Sequence, residues 1–147
     1  MSLKDWEKNG WLRKHQTTPK EISSLFSLVE RDLCDALQKE ISLDWRFNIA
    51  YNAALQLATL VLYVSGYRTG RGESKHYRVI QSIPMVMGKD FVHIRNFLDN
   101  CRRKRNINEY DAVGTVSKKE LVDLLEITND FKEKVKKWLE KSHPDLL

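Results

Sequence analysis

The residues of this chain best suited to chemistry form one run: Arg102-Arg103-Lys104-Arg105-Asn106-Ile107-Asn108-Glu109-Tyr110-Asp111. Successive cations give way at once to amides, carboxylates and a phenol. Guanidinium groups stay charged at neutral pH and meet phosphate oxygens in pairs, so Arg102, Arg103 and Arg105 could hold a phosphate, with Asn106 and Tyr110 orienting or stacking. Cations in the last turn of a helix also complement its macrodipole, which gives the run a purely structural use. Asn106 and Asp111 could equally cap or turn the helix end, and Tyr110 could simply pack its ring. A second group, Tyr67, Arg68, Arg71, Lys75, His76 and Arg78, surrounds Gly70 and Gly72. Glycine backbone beside cations can close on a phosphate, and it can equally be a solvated loop.

Other chemistries find little support. The chain has no Walker-type glycine loop, no paired Cys-x-x-Cys and no His-Glu-x-x-His. Its 4 histidines, His15, His76, His93 and His143, lack the helical spacing of metal ligands, so neither a metal nor another cofactor is expected. Cys34 and Cys101 stand far apart and read as reduced thiols of a cytoplasmic protein, and the N-terminus carries no apolar core of signal-peptide type. The formal charge of +5, from 25 cations and 20 anions, admits an anionic partner without requiring one.

Helices must position these groups. Residues 4–14 are expected to form a short first helix. Thr17-Thr18-Pro19-Lys20-Glu21 then opens a second, with Thr18 as N-cap and Pro19 in the first turn, running to about Glu40. Ile22, Leu25, Phe26, Val29, Leu33, Ala36 and Leu37 recur along it at amphipathic spacing. Ser42 or Asp44 caps the third helix, which carries no charge between Arg46 and Arg68 and ends near Gly66. That stretch is long enough to span a bilayer, but Asn48, Asn52, Gln56, Thr59 and its alanines favour a helix buried in a bundle over a membrane span. Asn52 and Gln56 fall on one face, as polar groups do when they point into a bundle or an interface. Residues 68–74 read as a loop, 75–87 as a helix with Ser74 a candidate cap, and 90–105 as another. A capping box, Ser117-Lys118-Lys119-Glu120, opens the last helix, to about Lys141 before Pro144. It pairs a lysine-rich solvated side with a packing face of Leu121, Leu124, Leu125, Phe131, Val135 and Trp138. No segment alternates as a strand does. The expected fold is a single all-α domain over 1–147, an up-and-down bundle of about five to six helices: residues 1–16, a core over 18–111, and 117–142.

Three features then resemble one family. They are the alanine-rich Ala50-Tyr51-Asn52-Ala53-Ala54-Leu55-Gln56-Leu57-Ala58, the loop Gly66-Tyr67-Arg68 to Lys75-His76, and the Arg-Asn run Arg102-Arg103-Lys104-Arg105-Asn106-Ile107-Asn108-Glu109-Tyr110. Together they resemble the HEPN domains, the helical "higher eukaryotes and prokaryotes nucleotide-binding" superfamily, over roughly residues 23–110. In its ribonucleases an Arg followed by a polar residue precedes a His by about five positions. The His helps activate a ribose 2′-hydroxyl and the Arg steadies the phosphate, without metal and often across a dimer interface. Here Arg105 and Asn106 fall on the Arg-polar pair and Tyr110 falls where the His would stand; framed on Arg103, that position is Asn108. Neither frame supplies the histidine.

A phenol titrating near 10 is a poor general base at neutral pH, and an amide is none. The resemblance therefore implies a homodimeric domain that binds RNA or a nucleotide phosphate, of the kind found in toxin–antitoxin or defence systems. Arg68, Arg71 and His76 join the basic run as candidate contacts. Two alternatives stay open: a protein-interaction subunit partnering a nucleotidyltransferase, and a metal-independent endoribonuclease with Arg105 and Tyr110 as catalytic candidates, or with His76 supplying the base.

Overall fold

Three of the long helices begin where a side-chain oxygen takes a backbone N–H that the helix leaves unpaired. In the computed structural model, Thr18 accepts from the N–H of Glu21, Ser42 from Trp45 and Ser117 from Glu120. The structure describes residues 1–70, 72, 74–110 and 114–147, without the side chains of 107–110. Its α-helices are α1 (Leu3–Lys8), α2 (Pro19–Ala36), α3 (Leu43–Val64), α4 (Lys75–Met87), α5 (Val92–Tyr110) and α6 (Lys118–Ser142). Short 3₁₀ turns at Lys89–Phe91 and Pro144–Leu146 follow α4 and α6. The protein is an all-α bundle, as the sequence implies.

Helix α3 is the axis. It packs against α2, α4, α5 and α6, and Ala50, Ala53, Ala54, Leu57, Ala58, Leu60, Val61 and Leu62 are completely buried. Alanine leaves room for neighbouring helices to approach closely, so the alanine-rich stretch is what lets so many elements share one partner. By length and composition α3 could cross a membrane, yet most of its apolar window lies inside the bundle. The Arg46 Nε donates to the Ala36 carbonyl at 2.7 Å, which satisfies an orphan acceptor at the end of α2 and fixes the α2–α3 turn. Gln56 Nε2 donates to buried Asp32 of α2 at 2.9 Å, while Asn52 is exposed, so the expected shared polar face divides between an inter-helix bond and solvent.

Several boundaries differ from the sequence expectation. The first helix stops at Lys8, because Asn9 caps it and Gly10 turns at φ 78°; residues 12–14 then extend as β1 (Leu12–Lys14). β1 pairs antiparallel with β2 (Tyr67–Thr69), Leu12 opposite Thr69 and Lys14 opposite Tyr67. So the segment read as a loop from 68 begins as a strand; three residues are too few for alternation to show. α2 ends at Ala36 rather than near Glu40. α5 continues to Tyr110 rather than ending at Arg105, which makes Asn106 part of the helix and not its cap.

The Ser117 box also closes its return bond, from the Ser117 N–H to Glu120 Oε1 at 2.9 Å. That bond holds the Glu120 carboxyl below its ordinary 4.5, outweighing an upward push from burial, with help from the Ser117 hydroxyl and Lys104. A depressed carboxylate contributes stability that is full above 4.5 and lost as pH falls through the lower folded value. Glu120→Gln should therefore lower stability by a few tenths to about 1 kcal/mol at neutral pH. The gap should close as pH drops below 4.5; a gap unchanged in acid melting curves would refute this.

Candidate phosphate-binding site

The basic run is divided by the helix that carries it. Asp99, buried one turn earlier, accepts from Arg102 Nε at 3.0 Å and from Arg103 Nη2 at 2.9 Å. Lys104 turns the other way, donating to the Thr115 carbonyl at 2.6 Å and pairing with Glu120 of α6 at 3.4 Å. It therefore anchors the α5–α6 connection, where Asp44 of α3 also accepts from the backbone of Gly114 and Val116. Arg102 and Arg105, three apart, share the face turned to α3 and α4.

On that face lies Tyr51. Its ring is fully buried in α3, the Arg105 guanidinium carbon lies 5.7 Å from the ring centre, and its hydroxyl is 3.5 Å from Nδ1 of His76 in the first turn of α4. Next to His76, Tyr77 exposes 38% of its surface and receives the Arg102 guanidinium at 5.4 Å. Burial drives the Tyr51 hydroxyl well above a phenol's usual 10, against the pull of Arg105 and Arg102, so it stays protonated. The site thus offers two guanidiniums on aromatic rings, an imidazole and a neutral phenol. Such a set can bind an anion.

Not every expected residue joins it. Arg103 points outward, 66% of its side chain exposed, and Asn106 is exposed one turn beyond Arg102. Arg68 lies on β2, where its charge acts on Glu21. Burial pushes the Glu21 carboxyl upward, but hydrogen bonds from His15 and Thr17, aided by Arg68, hold it below its ordinary value. Arg71 and the Tyr110 side chain lie outside the described residues. Ser74, the expected cap of α4, makes no side-chain cap bond. One exclusion is physical. The buried Cys101 thiol is pushed up to about 12, chiefly by burial and then by Glu120, which removes it as a nucleophile. Among the described residues no three His, Cys, Asp or Glu side chains converge as a metal site.

Sequence reasoning does not single out Tyr51 or Tyr77 as site residues. The available signal for Tyr77 is its position between His76 and Arg78 in one helical turn. Tyr51 is one of two tyrosines on α3, with Tyr63, and nothing in the sequence marks it as a neighbour of Arg105. No family model, curated protein or solved structure matches the chain.

Proposed function

We propose that the protein binds RNA or a nucleotide through phosphate groups held by Arg102 and Arg105. The observation that carries this reading is the convergence of the Arg102–Arg105 face of α5 and the His76–Tyr77 turn of α4 on Tyr51. Arg102 gives its Nε–H to Asp99, so a phosphate would be met by its terminal nitrogens. The resemblance to HEPN domains points to the same class of ligand, and to a homodimer as the working unit.

Metal-independent cleavage is the second reading, favoured by His76. In the family pattern the histidine follows the arginine on one helix; here an imidazole from α4 shares Tyr51 with Arg105 instead. An imidazole is the side-chain type suited to take a proton from a ribose 2′-hydroxyl. Attack of that oxygen on the adjacent phosphorus would break the P–O5′ bond, the 5′-oxygen taking a proton from water to leave as a 5′-hydroxyl, and leave a 2′,3′-cyclic phosphate.

One experiment tests both. Labelled RNA is titrated with protein in chelator at several salt concentrations, read by anisotropy and by gel. Arg105→Ala should weaken binding and flatten the slope of log K against log salt by about 0.7 for a single strand. Cleavage, where present, should fall about a hundred- to ten-thousand-fold in His76→Ala. Binding by Arg105→Ala that equals wild type at every salt concentration would overturn the first reading. Cleavage indifferent to His76 would overturn the second. A wild type that leaves RNA untouched favours the protein-interaction alternative, with a nucleotidyltransferase as partner.

A further inference from the structure

Two cations outside the basic run are placed to meet a ligand. Lys75 and Arg78, in the first turn of α4, pair with no carboxylate among the described residues, in contrast to Arg102, Arg103 and Lys104. Arg78 is held in place by rings rather than by charge: its guanidinium carbon lies 3.6 Å from the centre of Trp11, 5.3 Å from Trp6 and 5.6 Å from Tyr77. A planar cation covered on a face keeps its in-plane N–H fork available, and immobilising it beforehand lowers the entropy cost of binding.

These two cations line an open cavity of about 140 Å³ together with Trp11, Thr69, Gly70 and Ser74. Its wall is built rather than loose. The Gly70 N–H donates to the Trp11 carbonyl at 2.9 Å, and a Cβ at Gly70 would meet the Gly10 carbonyl oxygen at 2.5 Å, so only glycine allows this approach. The β1–β2 pair, which leaves no trace in the sequence pattern, is thus what brings Trp11 to Arg78. Tyr77 stands between the cavity and the Tyr51 site, its partly exposed ring within 5.6 Å of Arg78 and 5.4 Å of Arg102.

We propose that this cavity is a second phosphate subsite, and that the ligand is a single-stranded RNA bridging it to the Arg102–Arg105 site with a base stacked on Tyr77. The inference rests on the phosphate-binding reading above and deepens it. A strand with unpaired bases can lay one on an exposed ring while cations on either side take its phosphates, and stacking of this kind tolerates any base. A duplex holds its bases inside and offers Tyr77 nothing to stack on.

The test is anisotropy with a labelled twelve-nucleotide single-stranded RNA, its duplex, and inorganic phosphate as competitor. Tyr77→Ala should weaken single-strand binding about tenfold, and Tyr77→Phe should restore it. Lys75→Gln should lower the salt slope by about 0.7. The Tyr77 and Lys75 variants are the decisive ones, because both side chains are exposed and their removal spares the fold. Arg78→Gln, whose side chain packs on Trp11, is read only alongside its melting curve. Single-strand binding that depends on Arg105 but ignores Tyr77 and Lys75 would overturn this subsite and leave the first reading standing. Equal affinity for the duplex would overturn the single-strand assignment. Absence of binding by the wild type would remove the first reading, and this one with it.

Discussion

Replacing Tyr51 by alanine should cost about 3–5 kcal/mol, a large share of the roughly 5–15 kcal/mol by which a domain of this size is stable. The ring is completely buried on α3, the helix on which the other long helices pack, and the surrounding elements cannot all move inward to fill the space. The same change removes the ring near Arg105 and the hydroxyl near His76, so RNA binding should weaken beyond what the loss of folded protein explains. Tyr51→Phe separates the two roles. The ring stays, and the lost contact, long at 3.5 Å, should alter stability by no more than about 1 kcal/mol. Binding should survive in the phenylalanine variant; any cleavage should fall if the phenol positions the imidazole. Urea unfolding of both variants decides the structural half. A phenylalanine variant as unstable as the alanine one would show that the hydroxyl, not the ring, carries the stability.

Phe131→Ala should produce a second loss of about 3–5 kcal/mol. Phe131 is fully buried on the inner face of α6, with Leu121, Leu124, Thr128, Val135 and Leu139, and its ring lies 6.5 Å from that of Phe91 at a tilt of 57°. That ring pair joins α6 to the 3₁₀ turn preceding α5, so the cavity opens where elements distant in sequence meet. For a chain of 147 residues the melting temperature should drop by roughly 6–20 °C. Phe131→Leu, which refills most of the volume, should recover more than half of it. A drop of only a degree or two in the alanine variant would mean that this part of the core collapses freely, contrary to the packing described.

Much of the architecture was legible because its causes are local. Thr18, Ser42 and Ser117 bond N–H groups three residues away, and the apolar spacing of α2 and α6 depends only on the helical repeat. The lack of charge from 47 to 67 marked α3 as the buried axis for an equally direct reason: an ionised side chain is too costly to bury unpaired. The β1–β2 pair was not legible. Its hydrogen bonds join residues far apart along the chain, and strands of three residues leave no periodic trace. The extension of α5 through Asn106 was equally hidden, because asparagine favours caps and turns over helix interiors, so the sequence read it as an end.

For the candidate site the division is sharper. The sequence by itself determined that cations are plentiful at 102–105 and that no histidine completes the pattern the run resembles. Only the tertiary structure decided which cations face which neighbours. The Asp99 pairs with Arg102 and Arg103 are local to α5, but it is packing that gives Lys104 to Glu120 and turns Arg105 toward Tyr51 and so toward His76. The physical reason is that charge type is a property of one residue, whereas the neutralisation of that charge depends on side chains that helix packing brings close. A burial of a few ångströms, or a rotation of α5 by one residue, would exchange the partners while leaving the sequence pattern unchanged.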